Sequence, residues 1–283
     1  MCDLLVALGD VTEHGVTIFA KNSDRPPSER QVVEFVEPRV EDVTRTTYLS
    51  IPGATGPTVR CIISRPEWGW GAEHGVNIDG VAIGNATIYT TLDPRPFPDA
   101  LTGMDLVRLG LERAHDAREA VDVITDAIER FGQGGSGHGP TTSRRPYWSS
   151  FLVADPRSAW VLETSGREWA TEPVRSVRAV SNRTTIPHFD DRRHPRQPVE
   201  TLVDPRLRST DEFLAARPVT VDGVARHLSS HGMGADGWDV CMHVDGVEET
   251  TASMIAVLGD RGEPEIRMTQ ASPCRAPWSL VRW

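Results

Sequence analysis

The chain has 283 residues, which at roughly 150 per domain allows one large layered domain or two small ones. Apolar residues make up 39% and charged residues 25%, with 24 glycines; this is ordinary globular usage and excludes collagen-like, coiled-coil and wholly disordered chains. Lys plus Arg number 30 against 40 Asp plus Glu, a formal charge of −10, which disfavours nucleic acid or an anionic membrane surface as partner.

Met1-Cys2-Asp3 is not followed by a basic segment and an apolar signal core, and no apolar run reaches the about 18 residues that span a bilayer. The expectation is a cytoplasmic protein. Asp3 to Leu8 is an apolar run ending at Gly9-Asp10, and Val16 to Ala20 resumes it; together they predict a hairpin of buried strands that Cys2 opens. Val32 to Val36 and Arg60 to Ile63 read as further strands, and Asn77-Ile78-Asp79-Gly80 as the turn of another hairpin. From Thr102 to Phe131 the period becomes helical: one helix over about Met104 to Ala114, then a second with Asp116-Ala117-Arg118-Glu119 as a capping box and Gly132 as stop. The Gly-rich stretch Gly132 to Pro140 lacks the lysine of a phosphate loop and follows a helix, so a mobile loop or lid is predicted.

Phe151 to Ala154 and Ala159 to Glu163 form the next predicted hairpin, followed by a strand at Val177 to Val180. Pro187 to Pro205, dense in Pro, Asp, His and Arg, reads as surface loop. Short helices are expected over Thr210 to Ala216 and, behind Thr220 as cap, Val221 to Ser230; strands at Ser253 to Leu258 and Pro264 to Met268 close the chain. The pattern predicts a single α+β domain over residues 1–283, with sheets covered by helices.

The cysteines Cys2, Cys61, Cys241 and Cys274 form no CxxC pair and predict reduced thiols. Cys61 lies in an apolar run and reads as core, while Cys274 has no nameable partner. Cys241-Met242-His243 with His231 lacks a second close ligand pair, so no metal and no cofactor are predicted. His74 and His138 fall in no Ser-His-Asp or Cys-His pattern, and Trp68, Trp70, Trp148 and Trp160 read as core or pocket wall. Cys2 stands apart: aminopeptidases remove Met1 before a small residue, leaving a thiol and a free α-amine on one residue. An amine of reference pKa about 7.7–8.0 can take the proton of a thiol of about 8.5 near neutral pH.

The hairpin running into Ile18-Phe19-Ala20-Lys21-Asn22-Ser23-Asp24-Arg25-Pro26 resembles the secernin and dipeptidase family of N-terminal-cysteine peptidases, in the N-terminal nucleophile (Ntn) hydrolase superfamily. The resemblance extends through Trp70 to Asn77, Gly80 to Asn85, Gly103 to Arg108, Phe151 to Thr164, Ser181-Asn182 and Thr250 to Met254, although the region between Asn182 and Thr220 looks trimmed. It implies a four-layer αββα sandwich and removal of Met1. By similarity to bile-salt hydrolases and penicillin acylases, Cys2 is the nucleophile, Asp24 holds its amine, Lys21 replaces an arginine, and Asn85 and Asn182 flank the oxyanion. Arg206 and Arg208 are the candidates for a later arginine, and Arg25, Lys21 or Glu73 for binding a dipeptide's terminal charges. The implied activity is hydrolysis of linear amide or peptide bonds through a thioester, with dipeptides as default substrate. The alternatives are an acyltransferase or small-molecule amide hydrolase of a biosynthetic pathway, and a non-enzymatic, secernin-like binding protein. The expected partner is a small peptide or acyl-amide; homo-oligomerisation is left open.

Overall fold

The computed structural model describes residues 1–140 and 143–283. The chain begins with strands β1 (Cys2–Ala7), β2 (Thr17–Arg25), β3 (Gln31–Val36), β4 (Val43–Arg45), β5 (Ser50–Pro52), β6 (Cys61–Pro66), β7 (His74–Asn77) and β8 (Ala82–Ile88). Helices α1 (Gly103–Arg113) and α2 (Ala117–Phe131) follow, then strands β9 (Trp148–Ala154), β10 (Ala159–Ser165), β11 (Glu168–Pro173) and β12 (Val177–Val180). Four helices, α3 (Pro187–Asp190), α4 (Val199–Leu202), α5 (Asp204–Ala215) and α6 (Val221–Leu228), lead to β13 (His243–Val244), β14 (Glu248–Leu258), β15 (Glu265–Thr269) and β16 (Ser279–Val281). One sheet has the order β12-β1-β2-β14-β15-β16 with β13 added to β14, and the other β11-β10-β9-β8-β7-β6-β3.

The alternation of side chains along β1 and β2 fixes the layers. Leu4, Val6 and Phe19 point into a core shared with Ile62, Val76 and Leu152 of the second sheet. Leu5, Ala7, Ile18 and Ala20 point the other way, against Leu214 of α5 and Val224 and Leu228 of α6. A third core joins Ile63, Ile83 and Val153 to Leu106, Leu109, Val121 and Ile124 of α1 and α2. Three apolar interfaces require four layers, so the architecture is helix, sheet, sheet, helix, the αββα sandwich. Both sheets are covered on both faces, which is why β1 and β2 read as continuous apolar runs.

Local chemistry sets the helix ends. Thr102 accepts from the Asp105 N–H, and the Asp105 carboxylate accepts from Thr102 N in return, a full capping box on α1. On α2 only half of the expected box forms: Asp116 accepts from Glu119 N at 2.8 Å, but the Glu119 carboxylate accepts from His115 N. The segment read as loop, Pro187 to Pro205, contains α3, α4 and the first turn of α5. Proline suits a helix start, where its missing N–H has no partner to lose, and Pro187 and Pro205 sit in such first turns. The Gly-rich stretch is packed as wall: Arg25 Nη2 donates to Gly137 O at 2.6 Å, and a Cβ on Gly137 would meet the Tyr147 ring at 2.1 Å.

The two sheets approach closely at Gly84 of β8, where a Cβ would meet Leu4 Cδ2 and Lys21 Cδ, each at 2.9 Å. Gly84→Val is therefore expected to cost about 1–3 kcal/mol by overpacking, read from the urea midpoint. An unchanged midpoint would show that the sheets can part there freely.

Candidate active site

Cys2 opens β1 and pairs in register with Ser23 of β2, while Asp24 lies opposite Thr250 of β14. Strand geometry thus brings Cys2 and Asp24 to one end of the sandwich, at a cavity of about 70 Å³ lined also by Arg25, Asn85, Tyr147 and Asn182. Ligand pockets run to about 300–1,000 Å³; here Met1 takes up part of the space. Its ammonium donates to Glu248 Oε2 at 2.5 Å and to Asp24 O at 2.9 Å.

The Cys2 backbone N–H donates to Asn182 Oδ1 at 2.8 Å. Arg206 Nη2 donates to the same oxygen at 3.1 Å, so two obligate donors fix the orientation of this amide. Asn182 Nδ2 in turn donates to Thr87 O at 3.0 Å. Arg206 is fully buried and pairs with Asp3 at 2.5 Å. Its neighbour Arg208 lies two residues on, about 200° around α5, and is exposed. Of the two candidate arginines the structure brings only Arg206 to Cys2.

Lys21 and Arg25 both converge on Glu73, the residue just before β7. Lys21 Nζ donates to Glu73 Oε2 at 3.0 Å and to Glu73 O at 2.7 Å, and the Arg25 guanidinium bonds Glu73 Oε1 and Glu29. Burial pushes the Glu73 carboxyl up, but Lys21 and then Arg25 outweigh it and hold the pKa at about 2. Cys2 Sγ lies 3.9 Å from Glu73 Oε2, at the limit of a thiol hydrogen bond. Burial pushes the Cys2 thiol up, Lys21 opposes this, and Glu73 adds to the rise. With Met1 attached, the thiol is therefore held protonated.

Asp24 accepts from Thr250 Oγ1 at 2.7 Å through Oδ1, and its Oδ2 is buried with no partner among the described residues. Burial pushes Asp24 up to about 7, against the pull of the Met1 ammonium and Arg206. Asn85 and Tyr147 both line the pocket, and Asn85 Oδ1 has no hydrogen-bond partner among the described residues. Burial, then Glu73, push the Tyr147 hydroxyl up, so it keeps its proton. The Asn85 backbone N–H is already engaged by Glu73 O at 3.3 Å. His74 is buried against Ser23 Oγ and held neutral, down at about 3, by burial and then Lys21.

The structure thus gathers Cys2, Lys21, Asp24, Arg25, Asn85, Asn182 and Arg206 and leaves Arg208 outside. Lys21 pairs with Glu73, and Arg25, on the pocket wall, pairs with both Glu73 and Glu29. Sequence reasoning gave Glu73 no structural part and passed over Tyr147 and Glu248. Glu73 lies in one of the quoted blocks, but no local spacing links it to Lys21, 52 residues away.

A family model described as Peptidase family C69 matches residues 4–207. Among solved structures, the chain is similar to a point mutant of conjugated bile acid hydrolase from Clostridium perfringens, with TM-score 0.60, 11% identity and coverage of 100% of this chain and 97% of the other. It is also similar to the Caenorhabditis elegans ortholog of N-acylethanolamine-hydrolyzing acid amidase, with TM-score 0.53, 14% identity and coverage of 99% and 100%. At such identities the likeness concerns the fold, and it agrees with the αββα sandwich of the Ntn hydrolases.

Glu73→Gln would leave two buried cations short of a carboxylate, an expected loss of about 3–5 kcal/mol at pH 7. Because the folded pKa lies below the ordinary 4.5, this contribution is complete above about pH 4.5 and is lost as pH falls toward about 2. Urea midpoints of the two proteins should draw together as pH falls from about 4.5 toward about 2; a gap that stays constant would remove Glu73 from the ion network.

Proposed function

The chain belongs to peptidase family C69, and from that premise we propose that it is a cysteine-type hydrolase of amide and peptide bonds whose nucleophile is Cys2, freed when Met1 is removed. The observation that carries the reading is the position of the Cys2 nitrogen. It lies 2.8 Å from Asn182 Oδ1, beside a thiol and in a pocket, and loss of Met1 turns it into an α-amine. Asn182, itself held by Arg206, then orients that amine, and the unpartnered Asp24 Oδ2 is the acceptor that tunes its charge. Asn182 meets this task with its Oδ1, while one of its two amide N–H donors serves Thr87 and the other is left for the oxyanion.

In the reaction, the neutral amine takes the Cys2 proton as Sγ attacks the substrate carbonyl. Lys21 offsets the negative charge of Glu73 beside the forming thiolate. The Asn85 amide and the protonated Tyr147 hydroxyl line the same pocket and supply donors to the oxyanion. The amine passes its proton to the leaving nitrogen, the C–N bond breaks and a thioester remains. Water, losing a proton to the same amine, attacks the thioester and releases the acid with the Cys2 thiol restored. The 1–283 chain, less Met1, acts in this scheme as one catalytic domain with no cofactor.

Short peptides with a free amino group are the proposed substrates, dipeptides first. Met1 presents such a group, and Glu248 receives it at 2.5 Å. The exposed Arg145 lies on the same pocket wall and would take a terminal carboxylate. On this reading the chain's own first residue stands where a substrate's ammonium binds.

The purified protein is expected to have the intact mass of a chain starting at Cys2, and Cys2→Ala to abolish hydrolysis of a dipeptide panel. Asn85→Ala should lower kcat about 100–1,000-fold with a smaller change in KM. Full activity in Cys2→Ala, or in a chain retaining Met1, would refute the mechanism. Glu248→Gln should raise KM about 10-fold or more for free dipeptides, the worth of a charge-assisted hydrogen bond, while leaving their N-acetylated forms unaffected. An equal rise for both classes would remove Glu248 from ammonium recognition.

A further inference from the structure

Away from the catalytic pocket, His231, Cys241, His243 and Cys274 bring one ligand atom each to within 4.8 Å of one another. His243 Nε2 lies 3.1 Å from Cys274 Sγ and 3.5 Å from Cys241 Sγ, and the His231 and His243 rings are 5.2 Å apart. Around a tetrahedral zinc ion, with Zn–S of about 2.3 Å and Zn–N of about 2.0–2.1 Å, neighbouring N and S ligands sit about 3.5 Å apart. The two distances from His243 Nε2 to the sulfurs already have nearly that spacing, and all four atoms lie within 4.8 Å of one another. We propose that His231, Cys241, His243 and Cys274 form a closed structural site for one zinc ion.

The donor set supports the choice of metal. Two thiolates and two imidazoles suit zinc, whereas oxygen ligands would be needed for magnesium or calcium. All four atoms lie within 4.8 Å of one another, a span that fits a single ion. Two thiol protons leave for solvent as the ion binds, so the loaded site is electrically neutral. The sequence concealed the arrangement because Cys274 lies 31 residues from His243, beyond β14 and β15.

The surroundings explain what an ion would hold. Residues 229–242 contain no regular element and carry positive φ at Gly232, Asp236 and Gly237. Asp239 accepts from the N–H groups of Met233 and Gly234, and His243 N donates to Gly237 O, folding His231 back toward His243. Ordering such a stretch costs about 1–2 kcal/mol per residue, which a metal staple can offset. Met242, between two of the ligands, donates its N–H to Thr250 Oγ1 at 2.8 Å, and Ser272, two residues before Cys274, donates to Thr250 O at 2.9 Å. Thr250 is the residue that holds Asp24. The ion would thus clamp both segments that position the support of Asp24.

The test uses the full chain, purified under reducing conditions. Elemental analysis is expected to find one zinc per chain. Replacement by Co²⁺ should give the absorption of tetrahedral cobalt together with a thiolate-to-cobalt charge-transfer band. His231→Ala and Cys274→Ser, at exposed positions, should keep the wild-type far-ultraviolet circular dichroism and bind zinc at least 10-fold more weakly, and the charge-transfer band should fall to about half in the cysteine variant, where Cys241 remains the single thiolate. Wild-type protein that takes up neither metal after reduction would overturn the site. So would a cobalt spectrum without the thiolate band, or variants that hold zinc as tightly as the parent.

Discussion

A carboxylate buried between two sheets must be answered by buried cations, and at the active end of this sandwich Glu73 is answered by Lys21 and Arg25. The two cations come from β2 in the first sheet, and Glu73 leads into β7 in the second. One ion cluster therefore ties the sheets together where the apolar core gives way to the pocket. Gly84 lets Lys21 lie flat in the narrow gap, and Glu29, bonded to Arg25 and to Gly139, extends the cluster into the Gly-rich wall. The Cys2 sulfur faces this frame, and the Cys2 nitrogen is bonded into a second one built from Asp3, Arg206 and Asn182.

The two frames divide the work. The Glu73 cluster sets the electrostatics at the sulfur, and the Arg206 chain sets the geometry at the nitrogen. A cation close to the thiol would ordinarily favour thiolate. Here burial of the thiol outweighs that effect and Glu73 works against it, so the decisive change in the proposed mechanism is the appearance of the amine.

Much of this was legible in the sequence, for identifiable reasons. The buried hairpin at Cys2, the cap at Asp116 and the stop at Gly132 are local, and each follows from apolar period, capping chemistry or φ. The ordered blocks from Lys21 to Met254 led to the family and the fold. The Pro-rich region was misread because proline breaks a helix interior yet fits a first turn, and only tertiary packing decides which applies. The choice between Arg206 and Arg208 depended on the same point, since the phase of α5 turns one inward and the other to solvent. The partners of Glu73, the direction of the Asn182 amide and the approach of Cys274 to Cys241 are long-range facts that no local spacing encodes.

Met1 is largely covered, with its ammonium seated between Glu248 and the Asp24 carbonyl. A processing enzyme needs that terminus extended and free, a condition met while the chain is still emerging and lost once β1 pairs with β2. On the proposed mechanism, then, trimming competes with folding, because Met1 in its folded seat keeps the Cys2 nitrogen an amide. The pool of working enzyme would be fixed by the kinetics of synthesis, before any substrate is met.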